Sequence, residues 1–330
     1  MSHGLLWVVI AFAVAFDFTN GFHDTANAVA TTVSTRALTP RVAVLVAAVM
    51  NLAGAFTSTA VAKTVGAGLV DTHLVTQHLV LAALLGAIAW NLITWRLGLP
   101  SSSSHALVGG LVGAALVAEG SQAVLWRGIW EKVVIPGALS PVVGFFGALV
   151  LMTAILWIFR RVKPAPLNRG FRYAQIVSGS FMAFSHGAND AQKTMGVIAL
   201  SLFTSGEISH FYVPDWVIAL SGVAIAAGTY AGGWRIMRTM GTRIFRLEPP
   251  HGFAAQTTAS ALIYAVATKL GYPISTTHVI SGAVMGAGST VRLSAVRWGV
   301  ATDILAAWLF TLPAAAIMSA IVYEVIAPII

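Results

Sequence analysis

Long apolar stretches follow one another along almost the whole chain, and short polar connections separate them. About 20 consecutive apolar residues are enough to cross a bilayer as an α-helix. The pattern predicts ten helical membrane segments, at about residues 4–35, 42–62, 74–95, 101–118, 134–159, 173–205, 216–234, 252–268, 274–291 and 299–327. We therefore expect an all-α polytopic membrane protein in which residues 1–330 form a single transmembrane domain.

The composition agrees with this pattern. Hydrophobic residues make up 57% of the chain, charged residues only 9%, and the mean hydropathy is +0.83, whereas a soluble protein needs more charge to cover its surface. The net charge of +8 does not indicate a nucleic-acid partner, because the basic residues lie between apolar stretches rather than on one polar face. No cysteine is present, which excludes disulfides and thiolate chemistry.

Two motifs occur twice in the same order. The stretch RLGLPSSSSH, which ends at His105, is echoed by KLGYPISTTH, which ends at His278, and positions 105 and 278 are 173 apart. The stretch GFHDTAN around Asp24 is echoed by GANDAQK around Asp190, and positions 24 and 190 are 166 apart. This duplication predicts two related repeats of about five membrane segments each.

Five segments per repeat is an odd number, so the second repeat (about residues 170–330) should be inverted relative to the first (about residues 1–160). The positive-inside rule supports this topology with both termini on the external side. The cytoplasmic connections then carry fourteen basic residues, and the external connections carry four. The cytoplasmic residues are Arg36, Arg41, Arg96, Arg160, Arg161, Lys163, Arg169, Arg172, Arg235, Arg238, Arg243, Arg246, Arg292 and Arg297, and the external ones are Lys63, Arg127, Lys132 and Lys269.

Inverted repeats are the architecture of secondary transporters, whose substrate site lies where the repeats meet. The first segment of each repeat, at about residues 4–35 and 173–205, is longer than one straight span requires and carries its polar motif midway. We therefore expect broken helices or helical hairpins at the duplicated motifs.

The Pro-Ser motifs have the composition of a helix start. Pro100 and Pro273 cannot continue a preceding helix, and Ser or Thr residues follow each of them, from Ser101 to Ser104 and from Ser275 to Thr277. A helix N-terminus presents free N–H groups and a partial positive charge, and neighbouring hydroxyls add donors. These residues could simply cap short buried helices, but their repetition with Pro and His in fixed places favours an oxyanion site.

The duplicated aspartates are candidate cation sites. Asp24 and Asp190 lie deep in apolar segments. Inserting a carboxylate at the centre of a membrane helix costs about 2.5–3.5 kcal/mol, so such residues usually have a function. Asp24 with Asn27, and Asp190 with Asn189, supply oxygen ligands that suit Na⁺. The same groups would also suit a shared proton. The alternative is an N-cap carboxylate satisfied by backbone N–H groups.

Lys193 breaks the symmetry, because the first repeat has Asn27 at the corresponding position. It either neutralises Asp190 or attracts the anion. His105 and His278 follow the hydroxyl runs and are either proton relays or packing residues that donate to a backbone carbonyl.

Some further polar residues receive weaker interpretations. His23 and His186 flank the aspartates, but no HExxH motif or dense His/Cys cluster supports a metal site there. Asp17 could join the first cation site, whereas Asp303 is expected only to make a polar contact between helices. Gln192 and Thr194 border the second aspartate motif and are weaker candidates for the site.

The residues GFHDTANAVATTVSTRALTP and SHGANDAQKTMGVIAL closely resemble the duplicated GANDVANA-type signature of the inorganic phosphate transporter (PiT) family, and PSSSSH and PISTTH resemble its second duplicated signature. The short connection at about residues 160–172 is similar to that of the bacterial low-affinity phosphate permease type, which lacks the long central loop of animal members. The resemblance implies roles for Asp24, Asn27, Ser103, Ser104, Asn189, Asp190, Thr276 and Thr277. Phe22-His23 and Gln192-Lys193 depart from the signature and leave the coupled cations open.

The resemblance implies a symporter that imports inorganic phosphate with H⁺ or Na⁺ by alternating access. It implies no enzymatic activity and no cofactor apart from the co-transported cation. Phosphate would bind at Asn27, Ser103, Ser104, Asn189, Lys193, Thr276 and Thr277, and Na⁺ or a proton would bind at Asp24 and Asp190 with Asn27 and Asn189. Sulfate, another oxyanion or a metal–phosphate complex are alternative substrates, and an anion channel is a more distant alternative. The expected location is the bacterial inner membrane, and a homodimer through a lipid-facing surface is compatible with the sequence.

Overall fold

The structure is a computed structural model that describes residues 3–328. Within that range the regular secondary structure is helical, apart from one isolated β-bridge between Val70 and Val124. The α-helices are α1 His3–Ser34, α2 Pro40–Ala55, α3 Ala60–Ala67, α4 Gln77–Leu97, α5 Ser103–Glu119, α6 Trp126–Ile129, α7 Ile135–Ile158, α8 Pro164–Thr204, α9 Asp215–Ala231, α10 Trp234–Arg238, α11 Pro249–Ala265, α12 Thr276–Ser289 and α13 Trp298–Ile326.

Every predicted apolar segment is helical, but two of them are divided. A bend of 74° separates α2 from α3, and a bend of 61° separates α9 from the helical stretch Trp234–Arg243. These bends occupy the same place in the helix order of each half. The sequence did not predict them, because residues 56–59 hold no proline and the break at Gly232 falls at the very end of its predicted segment.

By length and composition, four helices in the described part of the chain can cross a membrane, and six spans result if each bent pair is counted as one. The four are Gly4–Ser34, Gln77–Leu97, Trp126–Ile158 and Trp298–Ile326. The protein is thus a multi-pass membrane protein, although fewer than ten segments meet that test. The shorter helix α5 has 17 residues, which is at the lower limit of the usual spanning range.

The aspartate motifs do not break their helices, and this part of the prediction is wrong. Helix α1 runs unbroken through Asp24, and α8 runs unbroken for 41 residues through Asp190. Neither motif contains proline, and the glycines in them lie where another backbone approaches: a Cβ on Gly21 would overlap the Ile225 carbonyl. At about 1.5 Å per residue both helices exceed a hydrocarbon core of about 30 Å, and tilt or extension beyond the bilayer accommodates the excess length.

The Pro-Ser motifs do form hairpins, as predicted. Helices α4 and α5 pack side by side and are joined by residues 98–102, and α11 and α12 are joined in the same way after a π-turn at Val266–Leu270. Gly98 and Gly271 end the first helix of each pair with φ of 69° and 66°. This left-handed conformation favours glycine and reverses the chain, so the duplicated glycine before each proline has a structural reason.

Helices α1 and α8 lie against each other at the centre of the molecule and run antiparallel. Thr35, just after α1, donates a 2.6 Å hydrogen bond to Gln175 near the start of α8, whereas Asp24 approaches Asp190 farther along α8. Apolar residues of two separate clusters pack around the two ends of this pair. The polar motifs therefore lie between two apolar layers.

The two halves of the chain interlock. Helix α1 packs against α9, and α8 packs against α2. Hairpin α4–α5 packs against α13, and hairpin α11–α12 packs against α7. Each hairpin is therefore held by the last long helix of the other half, while the predicted repeat boundary and inverted topology stay predictions.

Candidate substrate and cation site

Each hairpin presents the N-terminus of its second helix to the centre of the molecule. Ser102 caps α5 by accepting a 3.2 Å hydrogen bond from the backbone N–H of His105. Ser275 caps α12 by accepting a 3.3 Å hydrogen bond from the backbone N–H of His278. The duplicated hydroxyl runs are therefore true N-caps, as their sequence pattern predicts.

Asp24 of α1 lies directly against the first hairpin tip. The Ser103 Oγ atom lies 2.7 Å from Asp24 Oδ2 and 2.6 Å from Asn20 Oδ1. The His23 Nδ1 atom lies 2.8 Å from Asp24 Oδ1, and Thr277 of the other hairpin lies 3.5 Å from the same oxygen. Asp24 is therefore in contact with both hairpins.

Asn27 connects the first aspartate motif to the second hairpin tip. Its Nδ2 group donates hydrogen bonds to Thr276 Oγ1 at 3.2 Å and to Thr277 Oγ1 at 2.8 Å. Its Oδ1 atom is buried and has no hydrogen-bond donor among the described residues.

Asp190 of α8 forms a buried ion pair with Lys193, whose ammonium group also donates to Ser104 at the first hairpin tip. The His186 Nε2 atom lies 3.2 Å from Asp190 Oδ2. Both interpretations of Lys193 therefore fit the geometry, because the same ammonium group neutralises Asp190 and reaches the hydroxyls of the proposed anion site.

Asn189 ties the second aspartate motif to the second hairpin. Its Nδ2 group donates to Asp190 Oδ1 and, at 2.8 Å, to the carbonyl oxygen of Ile274. Its Oδ1 atom, like that of Asn27, is buried without a donor among residues 3–328. Both asparagines thus contact the second hairpin, although they occupy different positions in the two motifs.

A cation would fit between the two motifs. Asp24, His186 and Asp190 each offer one ligand atom, and these atoms lie within 4.8 Å of one another. The nearby unpartnered acceptors are oxygens of Asn27, Asn189 and Asp190. Oxygen ligands suit Na⁺ and other hard cations, and the imidazole nitrogen would also accept a proton or suit a softer divalent metal.

The same cluster also holds donors of the kind that bind an anion. Ser103, Ser104, Thr276 and Thr277 bring four hydroxyls together with two helix N-termini. Neutral hydroxyl and amide donors bind an oxyanion without the cost of a second buried positive charge.

The cluster is sealed from solvent. Asp24 is 2% exposed, Asp190 is fully buried, and none of the four tip hydroxyl residues exceeds 3% exposure. Apolar clusters on both sides of the α1–α8 crossing separate the polar groups from the surface. A bound ion would therefore be occluded in this conformation.

His105 and His278 lie beside the cluster but not in it. Their rings meet edge to face at 4.8 Å between centroids, and His278 stacks on Trp308 at 4.0 Å. The His278 Nδ1 atom lies 3.2 Å from the Gly137 carbonyl oxygen. Within the described residues no hydrogen bond joins either ring to Asp24 or Asp190, so the geometry matches the packing alternative better than the proton relay.

Gln192 has a structural partner outside the cluster. Its Oε1 atom accepts a 2.8 Å hydrogen bond from the backbone N–H of Val61 at the start of α3. This capping contact stabilises the bend between α2 and α3, which explains a polar residue at this position without substrate contact.

The two remaining intramembrane acids have opposite surroundings. Asp303 is exposed on α13, and Asp17 is fully buried on α1. Asp17 lies on one helical face with Asn20 and Asp24, two turns before Asp24.

A polar cavity of about 710 Å³ lies at the C-terminal end of α1, lined among others by Arg36, Arg172, Arg246 and Glu248. Buried Thr31 and Thr35 continue the polar face of α1 from Asn27 toward this cavity. The polar face therefore connects the central cluster with an arginine-rich opening.

Sequence reasoning missed several partners of the cluster. It did not select Asn20, and it rated His23 and His186 low, although each histidine contacts an aspartate. The contact between His186 and Asp190 could have been predicted from helical spacing, because His186 lies four residues before Asp190 on the same face of α8. Asn51 was also missed; it lies 3.0 Å from His186 Nδ1 and donates to Thr229 at 2.8 Å.

Known proteins with similar sequences point to one family. A profile described as the phosphate transporter family matches residues 20–170 and 160–319 of this chain. A probable low-affinity inorganic phosphate transporter of Rhizobium meliloti (strain 1021) is 50% identical over 327 residues, which cover 98% of this chain and 97% of the relative. A protein of the same description from Bacillus subtilis (strain 168) is 44% identical over 322 residues, which cover 97% and 96%.

A solved structure has the same fold. The sodium-dependent phosphate transporter matches with a TM-score of 0.84 and 28% identity, and the match covers 99% of this chain and 100% of that chain. These relatives are named as transporters, which agrees with the prediction that the chain is not an enzyme.

Proposed function

The chain belongs to the phosphate transporter family, and from that premise we propose that it carries inorganic phosphate through the membrane as a symporter coupled to H⁺ or Na⁺. The observation that carries the proposal is the meeting of both duplicated motifs in one buried cluster. Asp24 and Asp190 offer ligand atoms within 4.8 Å of each other, and Asp24 contacts hydroxyls of both hairpin tips, Ser103 and Thr277.

In the proposed complex, phosphate binds between the N-termini of α5 and α12. Its oxygens accept hydrogen bonds from Ser103, Ser104, Thr276 and Thr277, and the amide groups of Asn27 and Asn189 and the ammonium group of Lys193 complete the donor set. The Ser104–Lys193 contact supports this assignment, because a phosphate oxygen at that position would be reached by both groups.

The cations bind at Asp24 and Asp190, with the Oδ1 atoms of Asn27 and Asn189 as further ligands. These oxygens are unpartnered acceptors of the cluster, so a cation would relieve the cost of burying them. The solved relative is a sodium-dependent transporter, which supports Na⁺, whereas the two imidazoles against the carboxylates keep H⁺ as an alternative.

The membrane potential opposes uptake of an anion, and this is the physical reason to couple phosphate to cations. Each negative charge carried inward against about 100 mV costs roughly 2.3 kcal/mol. A divalent phosphate therefore needs at least two monovalent cations before the membrane potential stops opposing uptake, and the two duplicated aspartates suit that number.

A carrier explains the burial of the cluster better than a channel does. A continuous anion pore needs a solvated path through the protein, whereas the tip hydroxyls and both aspartates are buried here. Alternating access would open this closed cluster to one side at a time by movement of one half against the other.

On the predicted cytoplasmic side, the arginine-lined cavity is the proposed route of phosphate release. It follows the polar face of α1 from Asn27 through Thr31 and Thr35 to Arg36. Positive charge at this opening would attract the anion toward the aqueous phase.

The test is uptake of labelled phosphate or labelled sulfate into proteoliposomes under an imposed Na⁺ or H⁺ gradient, with Asp24→Asn and Asp190→Asn alongside. We expect concentrative phosphate uptake that collapses with the coupling gradient, and loss of that coupling in both variants. Uptake that never exceeds equilibrium would identify a channel, preference for sulfate would change the substrate, and normal coupling in both variants would refute the cation sites.

A further inference from the structure

Asp17 is a buried acid in the described structure that the proposed cluster does not use. Its side chain is fully buried, and neither carboxylate oxygen accepts a hydrogen bond of normal geometry from a described residue. A carboxylate in this state is expensive, because burial removes hydration and nothing replaces it. Such a group must either take up a proton or bind a cation.

The neighbours of Asp17 are also incompletely satisfied. Asn20 and Thr194 lie beside it, and both are fully buried. The Nδ2 group of Asn20 and the Oγ1 atom of Thr194 have no hydrogen-bond partner of normal geometry within residues 3–328. Asn20 of α1 and Thr194 of α8 therefore lie close to the Asp17 carboxyl group without a hydrogen bond of normal geometry to it.

Lys193 and Asp190 are the charged groups that face Asp17. The ammonium group of Lys193 contacts Asp190 and Ser104, and it forms no ion pair with Asp17 among the described contacts. Asp190 has the same sign as Asp17 and would repel it. Among the described residues, the Asp17 carboxyl group therefore has no direct ion-pair partner in this conformation.

Asp17 is separate from the central cluster but connected to it. It precedes Asp24 by seven residues on α1, which is about 10 Å along the helix axis at 1.5 Å per residue. Asn20 bridges the two positions, because its Oδ1 atom lies 2.6 Å from Ser103 Oγ, and Ser103 contacts Asp24. In the predicted topology Asp17 lies on the external side of the cluster.

The second repeat does not duplicate this feature. At the same offset of 166 residues, Asp17 corresponds to Ala183, just as Lys193 corresponds to Asn27. Asp17, like Lys193, is therefore a charged residue that only one of the two motifs carries.

We propose that Asp17, with the Thr194 hydroxyl, binds a monovalent cation, Na⁺ or H⁺, at a second site on the way to the central cluster. This inference rests on the proposed symport. Asp17 and the central cluster together hold three carboxyl groups and one ammonium group. With the carboxyl groups ionised and the histidines neutral their net charge is −2, so two bound monovalent cations neutralise them before phosphate enters. The Asp17 site would accept one of the transported cations.

The test measures the charge moved per labelled phosphate in proteoliposomes, together with the steepness of the dependence of uptake on cation concentration. Asp17→Asn should lower the charge per phosphate by one and reduce the Hill coefficient by about one, while Asp17→Glu should restore both. Asp303→Asn is the matched control, because Asp303 is an exposed acid on α13, and it should leave both values unchanged. Uptake measured at increasing Na⁺ concentration and constant pH, and uptake measured at varying pH without Na⁺, distinguish Na⁺ from H⁺ as the bound cation.

Several results would overturn the inference. An unchanged charge per phosphate in Asp17→Asn would do so. Recovery of the wild-type value in the double variant Asp17→Asn/Lys193→Asn would identify Asp17 as a mere counter-ion of Lys193. If Asp17→Asn does not fold, as judged by gel filtration in detergent, Asp17→Ser provides the same measurement.

A separate binding measurement distinguishes failure of this inference from failure of the proposed function. Replacing choline by Na⁺, or lowering the pH, should raise the melting temperature of the purified protein in the absence of phosphate. Asp17→Asn should reduce that shift even if the wild-type protein imports no phosphate. An equal shift in wild type and Asp17→Asn would exclude the site.

Discussion

At the scale of single residues, Lys193 gives the two duplicated aspartates different surroundings. Its ammonium group forms a buried ion pair with Asp190, whereas Asp24 is held by Ser103 and His23. Removing one partner of a buried ion pair leaves the other charge uncompensated and costs about 3–5 kcal/mol. Loss of hydrogen bonds to a charged group costs about 1.5–3 kcal/mol.

We therefore expect Asp190→Asn to lower the stability of the protein more than Asp24→Asn does. The double variant Asp190→Asn/Lys193→Asn should recover much of the loss, because it removes both charges and places asparagine where the first repeat has Asn27. Thermal unfolding of the purified variants in detergent measures this order. Equal destabilisation by the two single variants, without recovery in the double variant, would contradict the assigned ion pair.

At the scale of helices, the position of Asp190 depends on close contact between α8 and α2. A Cβ on Gly187 would overlap the carbonyl oxygen of Asn51. The side chain of Asn51 in turn contacts His186, which lies against Asp190. Any separation of these two helices should therefore move the carboxylate.

Gly187→Ala should reduce phosphate uptake and lower stability by about 1–3 kcal/mol, the usual cost of overpacking. Gly170→Ala is the matched control in the same helix, because nothing lies within 4 Å of its Cβ position. That exposed change should be neutral or stabilising by about 0.5–1 kcal/mol, since alanine favours helix over glycine. Uptake assays and thermal unfolding of both variants check the prediction, and equal behaviour of the two would show that the α2–α8 contact does not position the site.

At the scale of the whole molecule, the polar face of α1 connects the central cluster with the arginine-lined cavity. If phosphate leaves by that route, the arginines should act through long-range attraction, which weakens as salt shortens the Debye length to about 8 Å at 0.15 M.

Arg36→Gln/Arg246→Gln should slow phosphate exchange across proteoliposome membranes by about tenfold at low ionic strength, with a smaller difference at high salt. Arg292→Gln is the control, because Arg292 is an exposed arginine on the same predicted side outside the cavity. Inside-out and right-side-out vesicles determine which side is affected. A salt-independent effect, or an equal effect of Arg292→Gln, would argue against the route.

The interlocking explains why the cluster is shared between the two halves of the chain. Each hairpin packs against the last long helix of the opposite half, and Asn27 and Lys193 each contact the hairpin tip of the other half. Movement of one half against the other would therefore change contacts to phosphate and cation at the same time, as coupling requires.

Local features of the fold could be predicted from the sequence. The apolar segments, the hairpin turns at Gly98-Pro100 and Gly271-Pro273, and the N-caps Ser102 and Ser275 depend on residues close together in the chain. The duplication of the motifs identified Asp24 and Asp190 as a pair, and the family resemblance predicted phosphate as the substrate. These conclusions need hydrophobic period, backbone chemistry and repetition, but no knowledge of which helices touch.

Only the tertiary structure decided the surroundings of each functional group. It made α1 and α8 continuous through their motifs, paired Lys193 with Asp190 and Ser104, placed His105 and His278 outside the cluster, and left Asp17 buried without a direct partner among the described residues. The physical reason is that these environments arise from helices distant in the chain. Local sequence determines whether a helix forms and how it is capped, whereas burial and charge pairing depend on the helices that pack around it.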